Sequence, residues 1–100
     1  MVSIVGPTFD PEELAGRKLV ALFDRAEARD FADVFVLAQR FGKEVLMQRA
    51  GEADFGFDRG VLSTMMLTIA RFNDDELPLP PEMAGEVRQF FRDWARELAS

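Results

Sequence analysis

Cysteine and histidine are both absent from the 100 residues. Without cysteine there is no disulfide framework, no thiolate metal site and no cysteine nucleophile. Without histidine the chain lacks the commonest general base, the commonest metal ligand and the Ser-His-Asp triad. Any acid–base chemistry therefore falls to Asp, Glu or Lys. No apolar run approaches about 18 residues, so no segment reads as a membrane span. The N-terminus shows neither the basic start nor the apolar block of a signal peptide, and a cytoplasmic location is the expectation. Glycine-rich phosphate loops, internal repeats and low-complexity segments are missing as well.

What is present suits one folded domain over residues 1–100. A chain of this size buries about two-thirds of the surface it exposes when unfolded. Apolar residues make up 48% of it and ten are Phe, a composition that argues against disorder. The formal net charge of −6 counts against a nucleic-acid binder acting alone. That charge is uneven. Asp74, Asp75, Glu76, Glu82 and Glu86 crowd the later part, whereas Arg17, Lys18, Arg25 and Arg29 cluster early.

The periodicity predicts an all-α fold, a compact bundle of about five helices with a short strand-like piece at Met1–Val5. Asp10-Pro11-Glu12-Glu13 opens a first helix over Pro11–Ala26, with Asp10 as cap, Pro11 in the first position and Glu13 completing a capping box. No Gly or Pro separates it from the second helix, Phe31–Phe41, for which Asp30 is the expected cap and Gly42 the stop. A third helix covers Lys43–Ala53. Asp54–Asp58 is a loop holding two Phe, one of which plugs the core. Asp58 caps a fourth helix, Arg59–Phe72, apolar nearly all round and so expected in the middle of the bundle. After an ordered, acidic, Pro-rich loop, a fifth helix from Pro81 to Ala99 carries the stripe Met83, Val87, Phe90, Phe91, Trp94 and Leu98.

The candidate chemistry lies in Leu14–Phe35, LAGRKLVALFDRAEARDFADVF. Lys18 and Arg25 fall along one edge of the first helix, and Asp30 and Asp33 share a face of the second. If the helices fold back, Asp33 or Leu37 comes opposite Lys18. Each residue has two readings. Lys18 is a snorkelling side chain or a point charge on a phosphate. Asp30 and Asp33 serve the helix N-terminus, or one orients or deprotonates a hydroxyl while the other fixes an Arg. Arg25 and Arg29 pair with these Asps or bind phosphate oxygens. The run Asp74-Asp75-Glu76 reads as a solvated charge cluster rather than a metal site.

This run resembles the C-terminal part of the AbiEii/AbiGii toxin family of nucleotidyltransferases, at Leu14, Ala15, Lys18, Leu19, Ala21, Leu22, Arg25, Arg29, Asp30, Phe31, Asp33 and Val34. ELPLP at Glu76–Pro80 and FFRDWARELA at Phe90–Ala99 are similar to the way such proteins end. The resemblance implies Lys18, Asp30 and Asp33 as catalytic residues, with Arg25 and Arg29 binding phosphate. It further implies transfer of a nucleotide from an NTP with Mg²⁺ to an acceptor, tRNA for some members, and an antitoxin as partner.

The departure is large. The family's nucleotidyltransferase core uses a Gly-Ser turn followed by metal-binding carboxylates, and this chain has no Gly-Ser dipeptide. No metal ligands are therefore assigned, and the chain alone is expected to hold no cofactor and to be inactive, with a missing nucleotidyltransferase half as a second partner. Phe35 stands where Tyr is common, which removes one hydroxyl. The alternative is a helical protein–protein interaction or self-association module without catalysis. A complete small phosphotransferase is disfavoured for want of a metal site. A homo-oligomer with Met1–Val5 at the contact is the expected assembly.

Overall fold

A computed structural model describes residues 10–100, so the expected strand at Met1–Val5 lies outside the described residues. Five helices follow: α1 (Pro11–Asp24), α2 (Ala28–Phe41), α3 (Lys43–Ala53), α4 (Arg59–Leu67) and α5 (Ala84–Ala99). Short 3-10 turns occupy Thr68–Arg71, Asp74–Glu76 and Pro81–Met83. The all-α expectation stands, and no helix among the described residues is long and apolar enough to cross a membrane.

Local chemistry sets most of the boundaries. Asp10 accepts the Glu12 N–H at 3.0 Å with Pro11 just inside the helix, which satisfies an end donor and pre-sets the backbone. Glu13 does not complete the box; its carboxylate takes Arg17 one turn on, at 2.9 Å. Gly42, at φ 94°, separates α2 from α3 in one residue, a conformation that suits glycine. Asp58 accepts from the N–H groups of Gly60 and Val61 at 2.7 and 3.0 Å and so starts α4.

Several expectations are corrected, among them the start of the fifth helix: Pro81–Met83 forms a 3-10 turn and α5 begins at Ala84. The first helix ends at Asp24 rather than Ala26, because Ala26 takes a left-handed φ of 49° and turns the chain. The second then starts three residues earlier than expected, with Glu27 as its cap and Asp30 in its first turn. The fourth helix is not the buried centre. It ends at Leu67, runs on as a 3-10 turn, and leaves Val61 and Leu67 half exposed at 48% and 51%. Its inward stripe is Leu62, Met66 and Ile69, with Ser63 bonded to the Ala95 carbonyl of α5 at 2.7 Å.

The central place belongs to α1, which packs against α2, α3 and α4. Gly16 allows its close approach to α3 at Arg49 and Ala50, and Arg49 secures that contact by donating to Glu12 at 2.9 Å. On the other side of the core, Phe31 and Phe35 of α2 meet Phe91 and Phe90 of α5 edge-on, at 5.1 and 5.2 Å between ring centres. Trp94 completes the cluster. Edge-on rings gain electrostatic attraction beyond their buried area. The loop Phe that enters the core is Phe57, packed 5.2 Å from Phe23, while Phe55 is wholly exposed.

Candidate functional site

Two charged bridges reach α2, one from Arg25 at the corner and one from Lys18, two turns back along α1. At the far one, Lys18 Nζ donates to Asp33 Oδ2 at 3.0 Å. The side chains remain 34% and 42% exposed, so the pair sits at a rim. Of the two residues that helical spacing allows opposite Lys18, Asp33 and Leu37, it is Asp33 that pairs.

At the corner, Arg25 Nε and Nη2 donate to the two carboxylate oxygens of Asp30 at 2.9 and 3.0 Å. Asp30 Oδ2 also accepts the backbone N–H of Glu27 at 2.9 Å. Asp30 is fully buried, whereas Arg25 keeps 44% of its side chain exposed. Burial alone pushes the Asp30 carboxyl up; the Arg25 hydrogen bond, the Glu27 N–H and the charges of Arg25 and Arg29 outweigh it. The carboxyl therefore titrates below its ordinary value. The Asp30 hydrogen bond and charge in turn raise Arg25, which stays a cation.

Arg29 is exposed and makes no ion pair among the described residues; it acts on Asp30 only through its charge. The five residues thus sort into an accessible pair, a saturated pair and one open cation. Among the described residues no three carboxylates come together as a metal-binding group. Asp74 is bonded to Arg88 of α5 at 3.0 Å, and Arg88 also donates to the Ile69 carbonyl at 3.0 Å. The acidic loop is therefore clasped to α5, a contact without a local signature in the sequence. A groove of about 720 Å³ between α1 and α3 includes Arg25 in its lining but none of Lys18, Asp30 or Asp33. Its Arg17, Arg25 and Arg49 are balanced by Glu13, Asp24 and Glu52.

The partner that sequence reasoning missed is Glu27, whose N–H completes the shell around Asp30. Placing the helix cap at Asp30 itself leaves Glu27 no role to play.

Comparison with known proteins gives one family: the model described as nucleotidyl transferase AbiEii toxin, type IV toxin–antitoxin system, matches residues 3–100. No curated protein and no solved structure matches.

Proposed function

The chain belongs to the AbiEii family of nucleotidyltransferase toxins of type IV toxin–antitoxin systems, and we propose that this domain supplies the phosphate-facing side of a nucleotidyltransferase centre and is inactive by itself. The observation that carries the reading is the open Lys18–Asp33 pair. At the rim both charged groups lie within reach of a phosphate from solvent while already held 3.0 Å apart.

In this reading Lys18 is the point charge that meets a phosphate oxygen of the NTP. Asp33 holds the Lys18 ammonium in place and, once phosphate has drawn that ammonium away, can accept the proton of an attacking hydroxyl. Arg29 is the second phosphate contact. Arg25 contributes through its exposed side while its donors hold Asp30. Mg²⁺ does not fit the described residues: both Asp30 oxygens are spent, Asp33 is engaged by Lys18, and no further carboxylate converges on them. Nucleotidyl transfer needs carboxylates that hold the metal on the triphosphate, so those ligands belong to a separate part of the complete enzyme. The tRNA or other acceptor belongs with them. Membership of a toxin–antitoxin family implies an antitoxin partner.

The test is titration of the chain with inorganic triphosphate and with ATP, read by NMR at the Lys18 and Arg29 side chains, beside thermal denaturation of Lys18→Ala. The expected outcome is weak, Lys18-dependent binding and a stability loss below about 1 kcal/mol, since exposed pairs contribute little. A large stability loss with no response to triphosphate would reduce the pair to scaffolding. Transfer of labelled nucleotide to RNA by this chain with Mg²⁺ alone would overturn the inactivity.

A second reading, a self-association or interaction module, is favoured by Phe55, wholly exposed, and by the half-exposed Val36, Val61 and Leu67. Light scattering that shows a monomer at high micromolar concentration counts against self-association.

A further inference from the structure

The corner between α1 and α2 is three residues long, Arg25, Ala26 and Glu27. It holds no glycine or proline, yet Ala26 sits at φ 49° and is buried. A left-handed conformation is unfavourable for a residue with a Cβ, and such strain persists only where the surroundings over-determine it. The corner therefore needs a device that its own sequence does not supply locally.

That device is the Asp30 carboxylate. It takes two hydrogen bonds from Arg25, the residue before Ala26, and one from Glu27, the residue after it. The strained residue is bracketed by donors to one buried anion. With both oxygens so used, Asp30 has little capacity left for a substrate.

We propose that Asp30 is a positioning residue: by closing the Arg25–Ala26–Glu27 corner it sets the register of α2 against α1 in which Lys18 meets Asp33. Asp33 lies one turn beyond Asp30 on the same helix. A helix turns about 100° per residue, so a one-residue slip at the corner carries Asp33 off the face that Lys18 reaches. The proposal deepens the reading of Lys18 and Asp33 as the reacting pair, but its geometric content can be tested without any activity.

The chain has two lysines, Lys18 and Lys43. Lys43 joins α3 to α5 through Glu97 at 3.2 Å and lies 5.1 Å from the ring centre of Phe90, so its ammonium signal reports on the fold independently of the corner. The experiment compares the side-chain ammonium NMR signals of both lysines in the parent, in Asp30→Asn and in Asp30→Asn with Ala26→Gly. The expected result is loss of the Lys18 signal in Asp30→Asn with Lys43 retained. Recovery of Lys18 is expected when glycine removes the strain at position 26. A merely structural role would move both lysines together and would not be rescued by glycine.

An Asp30→Asn protein that keeps the Lys18 signal of the parent overturns the proposal, as does a double variant in which Lys18 stays lost. If Asp30→Asn does not fold, Arg25→Gln, with fewer donors to Asp30, takes its place: loss of Lys18 with glycine rescue upholds the proposal, and any other result overturns it. Loss and rescue in a parent that ignores triphosphate would uphold the positioning role and sink only the phosphate-binding reading.

Discussion

Gly16→Ala tests the packing that puts α1 at the centre. A methyl at Gly16 would collide with Arg49 Cβ, and would stand 2.8 Å from the Arg49 carbonyl carbon and 3.0 Å from the Ala50 nitrogen. Carbon–carbon contacts favour about 3.5–4.0 Å. None of these atoms can swing aside, because each is backbone or attached directly to it. The helices must therefore separate by about 1 Å, opening the layer around Leu19, Leu46 and Ala50. Overpacking of this kind costs about 1–3 kcal/mol. Alanine in a helix interior returns about 0.8–1 kcal/mol over glycine, which leaves a net loss of about 1–2 kcal/mol because the clash is with backbone. Gly51 in α3 provides the control: a Cβ there meets nothing within 4 Å, so Gly51→Ala should stabilise by about 0.5–1 kcal/mol. The same substitution thus has opposite signs at two helical glycines. In a domain of this size the gap corresponds to a difference of roughly 6–24 °C in Tm. Urea and thermal unfolding, followed by circular dichroism and by the fluorescence of buried Trp94, give both values. A Gly16→Ala protein as stable as Gly51→Ala would show that α1 and α3 are not in backbone contact.

Phe57→Ala should cost about 2 kcal/mol, below the range for a fully buried Phe, because Phe57 is half-buried against Phe23. Phe55→Ala should fall within about 0.5 kcal/mol of the parent, and thermal denaturation that finds the two equal would contradict the loop's orientation. The Asp30 carboxyl titrates below its unfolded value of about 3.9. Its contribution to stability is therefore fully present above that value and is lost as pH falls through the lower folded pKa. Urea unfolding from about pH 5 downward should show a shallower acid loss in Asp30→Asn than in the parent; parallel curves would mean that the buried carboxylate is not ionised in the fold.

Much of this structure is legible in the residues because the signals are local. Asp10, Gly42 and Asp58 mark helix limits through their own side chains or backbone freedom. The stripe of α5 buries Val87, Phe91, Trp94 and Leu98 as its spacing requires. Two amphipathic helices folded back across a short connection bring Asp33 or Leu37 opposite Lys18, and the fold selects Asp33. The fourth helix shows where such reading ends. An apolar pattern says which residues can be buried, but neighbours decide which are, and a nine-residue helix packed mainly on α5 cannot be covered on every side. The centre went to α1, through a single close approach at Gly16 that hydrophobic periodicity does not register.

The charged set makes the same point more sharply. Asp30 and Asp33 are three residues apart, which on a helix places them about 60° from each other. From sequence they share a face and are interchangeable as candidates for chemistry. In the fold that 60° carries Asp30 under the corner, where Arg25 and Glu27 consume its oxygens, and leaves Asp33 at the rim with the half-buried Lys18 as partner. The deciding feature is the left-handed Ala26, and nothing in the letters marks it: the residue is neither Gly nor Asn, and no turn motif surrounds it. It becomes intelligible only when the carboxylate that brackets it is found three residues past the cap. The different surroundings of the two aspartates therefore derive from the corner rather than from the motif. A substitution that relaxes the corner should affect Lys18 and Asp33 before it affects the core.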